Sequence, residues 1–256
     1  ASYDAALRRL TLWSNSQAPE VVHDALREAL GVDDVRLISQ DIGGGFGQKI
    51  HLIRKYAVIT ALLSMQTGKP VKWIEDRQEN MLAFHGRGHT VDVEAAVKND
   101  GTLLGVNVKI VADLGAYCLM ATPKVPVLTT HRIAGPYRTP AMSVEVKGVV
   151  TNKPSTGPYR GAGGPEAAFC MERAIDLIAA ELDLDPADVR RKNFIPPDAF
   201  PYETPTGITY DSGEYEKAFD LALDMSDYQS WREKSREQTP AGEPLIGVGI
   251  ATVVNG

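Results

Sequence analysis

The sequence predicts a mixed α+β fold, and three observations support that prediction. Residues 35–74 have a strand, loop, helix, strand pattern, which favours a parallel α/β connection. Two alternating apolar runs then flank Asn99-Asp100-Gly101, a strong β-hairpin signal. Helical patterns dominate after residue 165. We therefore expect sheets in the first part of the chain and packed helices in the second.

The first elements follow from apolar periodicity. Alternation at residues 10–13 predicts a strand, and turn residues follow it. An apolar stripe with a 3.6-residue period predicts a helix over 21–30, and Gly31 stands where a left-handed C-terminal cap is favourable. A short strand at 35–38 then runs into the glycines at 43–45.

The middle of the chain continues this pattern. Apolar residues between 56 and 65 predict a second helix, which Gly68-Lys69-Pro70 ends. Residues 71–74 are predicted to form the next strand. The runs at 91–97 and 105–111 are the two arms of the expected hairpin.

The later elements are mostly helical. A strand at 142–150 leads into a second glycine-rich loop, and a helix over 166–182 follows. Asp185 predicts an N-cap with Pro186 at the first helical position. Residues 211–214 open another helix that ends near Met225.

The length of 256 residues fits one large domain or two small ones. We expect one composite domain over 1–256, with a mixed α/β lobe at 1–150 and a mostly helical part at 151–256. The last apolar run, 245–254, has the pattern of a buried strand that is truncated. With no initiator Met, the chain is expected to be a fragment of a larger subunit.

Composition excludes several classes of function. The chain has 27 basic and 33 acidic side chains, a net charge of −6 and no basic run suited to a phosphate backbone, so no nucleic-acid partner is expected. No apolar stretch approaches the roughly 20 residues of a membrane span, so no membrane role is expected. Cys118 and Cys170 are far apart and have no zinc-site spacing, which predicts reduced thiols in the cytoplasm.

Two glycine-rich loops could carry chemistry. The first, GGGFGQK at 43–49, lies between a strand and a helix, where backbone N–H groups could approach an anion. It matches neither standard phosphate-binding pattern, and a tight strand-to-helix turn is the alternative. The second, 157–165, holds Arg160 among glycines and suits an oxyanion, with a solvated arginine as its alternative. The two histidines of HGRGH at 85–89 lack the context of a metal site, and none is expected.

Four ordered motifs together resemble the large subunit of molybdenum hydroxylases, the xanthine dehydrogenase, aldehyde oxidase and carbon monoxide dehydrogenase family. They are WSNSQAP at 13–19, GGGFGQK at 43–49, RGH at 87–89 and YRGAGGPE at 159–166. The resemblance covers nearly the whole chain. It implies the first of two molybdopterin-binding regions, with the molybdenum cofactor-binding fold of mixed sheets and packed helices. It also implies oxidoreductase activity on an aldehyde or an aromatic N-heterocycle, with water as the oxygen source.

The resemblance also implies roles for individual residues. Gln17 matches the glutamine that hydrogen-bonds the apical oxo ligand of molybdenum, and Arg160 matches the arginine beside the substrate pocket; these two are the implied catalytic residues. The implied cofactor-binding residues are Gly44, Gly45, Phe46, Gly47, Tyr159 and Gly161. No residue of this chain is expected to ligate the metal. The cytosine dinucleotide form of the pterin is expected, while a [2Fe–2S] subunit, an FAD subunit and the remaining large-subunit domains are the expected partners.

Departures from the family pattern refine this expectation. Gln48 replaces a frequent glycine, and Ile50 stands where xanthine-oxidising members carry Glu, which argues against a purine substrate. Gly161 stands where carbon monoxide dehydrogenases with copper and molybdenum carry Cys, which argues against carbon monoxide oxidation. The general-base glutamate of the family lies in the second cofactor-binding region, so the isolated chain is expected to be inactive. Two alternatives stay open: a catalytically silent homologue that acts as a scaffold or assembly subunit, and a phosphate- or nucleotide-binding module.

Overall fold

The computed structural model describes residues 1–51, 53–236 and 245–254. The chain divides into two compact units, each assembled from three segments. Unit 1 comprises Ala1–His89, Ala112–Pro126 and Gly148–Ala162, and unit 2 comprises the three ranges Thr90–Val111, Val127–Lys147 and Gly163–Gly256. The units interleave along the sequence, so their boundaries differ from the contiguous lobes at 1–150 and 151–256. The mixed α/β class predicted from the sequence is confirmed.

Unit 1 is built on a three-stranded sheet. Its strands are β1 (Ser2–Asp4), β2 (Arg9–Ser14) and β3 (Asp34–Ser39), in the order β1-β2-β3. Strands β2 and β3 pair in parallel, and helix α1 (Pro19–Leu30) connects them. The parallel connection therefore joins β2 and β3, and not the two strands of the unit predicted over 35–74. It places the chain segments that follow β2 and β3 at the same edge of the sheet.

Helix packing closes one face of this sheet. Helices α2 (Gln48–His51), α3 (Ile53–Thr67) and α4 (Arg77–Ala83) follow β3. Gly31 ends α1 in the left-handed conformation at φ 62°, as its position predicts, and its N–H donates to the Arg27 carbonyl. The core of unit 1 is apolar and comes from β2, α1, α3 and the loop before β3: Leu10, Leu12, Val22, Leu26, Val32, Ala57 and Ala61.

The strand predicted at residues 71–74 is absent. Val71 exchanges two backbone hydrogen bonds with Ala1, at 2.9 and 2.8 Å, but no strand continues this pairing. Trp73 instead packs on the ring of Tyr56, with the ring centroids 4.4 Å apart. The prediction was wrong because a short β-favouring run forms a strand only where a neighbouring backbone offers hydrogen bonds along its length.

The second sheet contains β4 (His89–Val97), β5 (Leu103–Gly115) and β6 (Met142–Val150), in the order β4-β5-β6. The expected turn at 98–102 joins the first two strands, with Lys98 N–H donating to the Thr102 carbonyl at 2.9 Å. Residues 112–115 and 148–150 of these strands belong to unit 1. Helix α5 (Lys124–Arg132) lies between β5 and β6 in the sequence.

The remaining elements belong to unit 2 and are mostly helical. They are α6 (Gly164–Glu181), α7 (Pro186–Asn193), a 3₁₀ helix (Pro197–Ala199), the paired short strands β7 (Tyr202–Glu203) and β8 (Thr209–Tyr210), α8 (Tyr215–Met225) and α9 (Tyr228–Arg236). The Asp185 carboxylate caps α7 by accepting from Ala187 N–H at 2.8 Å, as predicted. Among the residues that the structure describes, no helix combines the length and apolar content needed to cross a bilayer.

Residues 245–254 do not form the predicted buried strand, and most of them are exposed, although a buried charge network in unit 2 binds two of their backbone groups. The Arg190 side chain is fully buried, and its Nε lies 2.8 Å from the Glu172 carboxylate. Arg190 Nη2 donates to the Ile250 carbonyl at 2.8 Å, and Thr252 N–H donates to Glu172 at 2.9 Å. Side chains therefore bind the Ile250 carbonyl and the Thr252 N–H, two groups that would otherwise be open to pairing with a strand, and residues 245–254 have no regular secondary structure.

Candidate functional site

The turn after β2 carries Gln17 and is fastened to the first glycine loop. Gln17 N–H donates to the carbonyl of Lys49 at 3.3 Å, and the buried hydroxyl of Ser16 donates to the same carbonyl at 3.0 Å. The Ser16 hydroxyl also accepts from Ala18 N–H at 3.1 Å, which fixes the start of α1. The backbone at Gln17 is therefore held by the loop that the sequence analysis paired with it.

The side chain of Gln17 lies against the first glycine loop. Its Oε1 accepts a hydrogen bond from Gly47 N–H at 3.0 Å. A β-carbon at Gly45 would lie 2.6–2.8 Å from the Cδ and Cβ atoms of Gln17, so only glycine fits there. Because the carboxamide oxygen faces an N–H donor, the amide NH₂ must be on the other side. Within the described residues that NH₂ group has no acceptor, and Gln17 is exposed.

The second glycine-rich loop packs on the first one at Gly47. Gly47 has φ 92°, and a β-carbon there would collide with the Pro158 carbonyl, 2.6 Å from its carbon atom. Phe46, immediately before it, has φ 54° although it is not a glycine. Left-handed backbone at a non-glycine residue costs about 1–3 kcal/mol and is common at ligand-binding sites. Close contact between two loops that are far apart in sequence thus defines the candidate site.

The predicted arginine loop lies next to this contact. Tyr159 and Arg160 directly follow Pro158, and both side chains are exposed. The loop turns back through Gly161 at φ 103° and Ala162 at φ 41°, and Ala162 N–H donates to the Tyr159 carbonyl at 2.8 Å. Within the described ranges, the Arg160 guanidinium makes no hydrogen bond or ion pair with the protein.

The structure therefore brings the predicted residues of three segments together: Gln17, the loop of Gly44, Gly45, Phe46 and Gly47, and the loop of Tyr159, Arg160 and Gly161. All of them belong to unit 1. The site offers the exposed amide of Gln17, glycine backbone and the exposed guanidinium of Arg160. Such a set can bind and orient an oxygen-rich or anionic group.

The Asp113 carboxylate is the centre of a group of hydrogen bonds that fixes the chain just before the arginine loop. Asp113 accepts hydrogen bonds from Gly115 N–H at 2.9 Å and from the Thr151 hydroxyl at 2.6 Å, and lies 2.8 Å from the Lys153 ammonium. These bonds, that of Lys153 first and Thr151 second, hold the pKa of Asp113 well below its usual range. A β-carbon at Gly115 would lie 2.7 Å from the Pro154 carbonyl carbon. The network therefore anchors the chain just before the arginine loop.

A cleft of about 690 Å³ opens behind the first glycine loop. Its apolar wall includes Trp73 and Tyr56, and Gln48 lies at its polar end. Asn80 Nδ2 donates to Gln48 Oε1 at 3.4 Å and to Glu75 Oε2 at 2.9 Å, while Glu75 accepts from the Tyr56 hydroxyl at 2.9 Å. Burial, followed by this bond to Glu75, raises the pKa of Tyr56 to about 12. Gln48, which stands where the family often has glycine, thus takes part in a hydrogen-bond chain with Asn80, Glu75 and Tyr56.

Sequence reasoning missed two contributors to the site. Ser16 fixes the turn beneath Gln17, and its signal was only its position in the WSNSQAP motif. Arg87 contacts Tyr159 and Arg160, and its signal was the RGH motif, to which no role had been given. The described residues contain no group of three or more His, Cys, Asp or Glu side chains that could hold a metal ion.

Comparisons with known proteins identify relatives of this chain. Residues 1–194 match the sequence profile of the molybdopterin cofactor-binding domain. The carbon monoxide dehydrogenase large chain of Hydrogenophaga pseudoflava is 41% identical over 261 residues, covering 98% of this chain and 32% of that protein. The nicotine 6-hydroxylase large subunit of Paenarthrobacter nicotinovorans is 34% identical, covering 99% of this chain and 31% of that protein.

A solved structure shows the same fold. Quinoline 2-oxidoreductase from Pseudomonas putida 86 superposes with a TM-score of 0.87 and 33% identity, over 92% of this chain and 30% of that one. The chain thus spans about a third of the length of these relatives. The match over residues 1–194 and these identities agree with the resemblance carried by the four motifs. The chain belongs to the molybdopterin cofactor-binding domain family of molybdenum-dependent oxidoreductases.

Proposed function

We propose that this chain is the first molybdopterin-binding region of a molybdenum hydroxylase large subunit that oxidises an aldehyde or an aromatic N-heterocycle, with water as the oxygen source. The observation that carries the proposal is the fixed amide of Gln17. Its oxygen accepts from Gly47 N–H, and its NH₂, which has no acceptor among the residues that the structure describes, can donate to a bound group. The proposal concerns a whole enzyme of which this chain is one part.

The residues present fit a molybdopterin centre with oxo ligands. An oxo group is a hydrogen-bond acceptor, and the NH₂ of Gln17 is a hydrogen-bond donor that can pair with it. At Gly43 nothing lies within 4 Å of the β-carbon position, so the start of the first glycine loop is open to a bound group. The positive φ of Phe46 supports the same interpretation, because strained backbone persists where a binding site requires it.

The bound cofactor would supply the oxygen transfer and redox chemistry, while this chain supplies binding and orientation. Gln17 would help to hold the cofactor by donating a hydrogen bond to one of its oxygen atoms. Gly44, Gly45, Phe46 and Gly47 would form the loop whose backbone approaches the metal and the pterin. Arg160 would face the substrate oxygen, where a guanidinium stabilises developing negative charge, and Tyr159 and Gly161 would set the backbone on either side of it.

The proposed substrate class depends on two positions and on the names of the relatives. Gly161 follows Arg160 where copper-containing carbon monoxide dehydrogenases carry a cysteine, so the loop supplies no thiolate for a second metal. Ile50 has no carboxylate with which to bind a purine. Two of the relatives are named for oxidation of nicotine and quinoline, which are N-heterocycles. Although the carbon monoxide dehydrogenase large chain has the higher identity, 41%, the residue after Arg160 and these two names favour a heterocycle or aldehyde over carbon monoxide.

The proposal includes the form of the cofactor and the partners. We propose the cytosine dinucleotide form of the pterin, and cytoplasmic assembly with the remaining large-subunit domains, a [2Fe–2S] subunit and an FAD subunit. Relatives named large chain and large subunit support a complex of several subunits. The two cysteines of this chain cannot supply the four thiolates of one iron–sulfur cluster, so electrons must leave through another subunit or region.

The test is the cofactor content of the complete parent protein, expressed with its neighbouring subunits. We expect about one molybdenum per chain and CMP released by acid. A Gln17→Leu variant, which is similar in size and has no donor, should retain the fold and lose turnover of quinoline or benzaldehyde. Absence of both molybdenum and CMP, from a host that loads a related enzyme, would contradict the proposal and favour the silent scaffold.

The isolated 256-residue chain is expected to be inactive. The family's general-base glutamate belongs to the second cofactor-binding region, which the chain does not contain. The measurement is dye-coupled oxidation of benzaldehyde and quinoline by the purified chain after incubation with molybdenum cofactor, beside the parent complex as positive control. Turnover by the isolated chain would show that this reasoning is incorrect.

A further inference from the structure

We propose that Arg87 is a positioning residue that sets the conformation of the loop 159–162 and thereby presents the Arg160 guanidinium. The inference deepens the role proposed for Arg160 and rests on that proposed function. It assigns a role to Arg87, the central residue of the HGRGH motif. The juxtaposition that carries it is the contact of one guanidinium with two consecutive residues of the loop.

The motif is held in place on two sides. His85 forms a parallel bridge with Thr156, and His85 N–H donates to the Ser155 carbonyl at 3.4 Å. On the other side, Asp113 N–H donates to the Gly88 carbonyl at 2.7 Å, and a β-carbon at Gly88 would lie 3.1 Å from the Asp113 Cβ. Arg87 therefore extends from a backbone that is fixed relative to the base of the arginine loop.

Arg87 contacts the loop in two ways. Its guanidinium lies over the Tyr159 ring, 4.9 Å from the ring centroid, and its Nη2 donates to the Arg160 carbonyl at 3.0 Å. A planar guanidinium can stack on a ring and donate from its edge at the same time, whereas the compact ammonium of lysine cannot keep both geometries. A β-carbon at Gly86 would lie 3.5 Å from the Cβ of Tyr159, which shows how closely the two segments approach.

These contacts fix the peptide groups around Arg160. The Tyr159 carbonyl is bound by Ala162 N–H and the Arg160 carbonyl by Arg87, so both consecutive carbonyls face the protein. Ala162 stays in the left-handed region at φ 41°, which is unfavourable for alanine unless other contacts hold it. Removal of Arg87 would release the carbonyl of Arg160 and the adjacent ring together. The backbone at Arg160 would then no longer be held in one conformation, and the position of its guanidinium would vary.

The test is hydrogen–deuterium exchange of the complete parent complex, read at the amide of Ala162 and its neighbours. Arg87→Ala should raise exchange at 160–162 at least tenfold, Tyr159→Ala should raise it by a smaller factor, and the double variant should exchange no faster than Arg87→Ala, because that substitution already removes both contacts. Tyr159→Phe keeps the aromatic ring, so its exchange at 160–162 should stay within twofold of that of the unsubstituted complex. Amides of α1 should keep their protection, which separates positioning from general destabilisation. Arg36→Ala, which removes an exposed charge from β3, is the matched control.

Each outcome decides the inference. Unchanged exchange at 160–162 in Arg87→Ala would overturn it, and so would equal loss of protection in α1. Failure of Tyr159→Phe to keep this protection would overturn the stacking contact. Molybdenum content is measured on the same samples and tests the proposed function separately. If the complex lacks molybdenum but Arg87→Ala still raises exchange at 160–162, the proposed function is wrong and the role of Arg87 in positioning the loop is supported.

Discussion

Replacement of Arg190 by Met is expected to destabilise the protein by about 3–5 kcal/mol, the range found when one partner of a buried ion pair is removed. The Arg190 side chain is 0% exposed, and its guanidinium lies 2.8 Å from Glu172 and 2.9 Å from Asp176. Arg190→Met would leave the Glu172 carboxylate, only 6% exposed, buried without its cation. It would also leave the Ile250 carbonyl without its donor. The larger loss is that of the Glu172 carboxylate, because its burial keeps water from replacing the missing ion pair.

The assay is urea-induced unfolding followed by circular dichroism, with thermal unfolding beside it. Because a change of 1 kcal/mol shifts the midpoint of a domain of this size by roughly 2–4 °C, we expect a decrease of roughly 6–20 °C. Arg191→Met is the matched control, since Arg191 is the neighbouring arginine, its side chain is 32% exposed, and it pairs with surface carboxylates. Exposed pairs contribute about 0–1 kcal/mol. A loss below about 1 kcal/mol in Arg190→Met, or equal losses in the two variants, would refute the reasoning.

The other predictions concern individual positions of the site and the two cysteines. Gly45→Ala should lower the free energy of unfolding in urea by about 1–3 kcal/mol, because its methyl group would overlap the Gln17 side chain. Gly43→Ala, which has no atom within 4 Å of the new methyl group, should change that free energy by less than about 1 kcal/mol. Equal effects of the two substitutions would contradict the packing of Gly45 against Gln17. Asp113 has a folded pKa below its unfolded one, so it stabilises the protein above about pH 4 and loses that contribution as the pH falls. Asp113→Asn should therefore flatten the loss of stability between about pH 5 and 2, and an unchanged acid profile would count against it. A thiol reagent should label Cys118, which is exposed, in the native protein, but should label Cys170 only after unfolding, since Cys170 is buried and burial raises the pKa of its thiol; equal labelling rates would contradict this.

Elements with local signals could be predicted from the sequence, and elements that depend on a partner could not. The stripe of α1 with Gly31 behind it, and Asp185-Pro186 before α7, specify their helices through bonds made within a few residues. Residues 71–74 and 245–254 have the composition of strands, but their backbone groups meet a single terminal residue or buried side chains instead. The pattern of a short segment does not indicate which distant residue will form hydrogen bonds with its backbone.

The same distinction applies to the site and the core. The glycines of the first loop mark a place of close backbone approach, but their spacing does not reveal that Gly47 meets Pro158, which is 111 positions later in the sequence. Arg87 could be noted only as part of a motif, since its two contacts require the folded loop. Glu172 lies on the buried face of α6 and has no local partner, so its burial becomes understandable only when Arg190 of the next helix is present.

The segmented arrangement of the two units has a consequence for synthesis of the chain. Unit 1 needs residues up to Ala162, and unit 2 begins at Thr90, so the ribosome releases part of the second unit before the first is complete. Gln17 and the glycine loop at 43–47 emerge early, but their contact with Pro158 must wait for more than a hundred further residues. Contacts of such sequence separation slow folding and leave apolar surface uncovered for longer. The candidate site therefore cannot form until residues 148–162 have been synthesised.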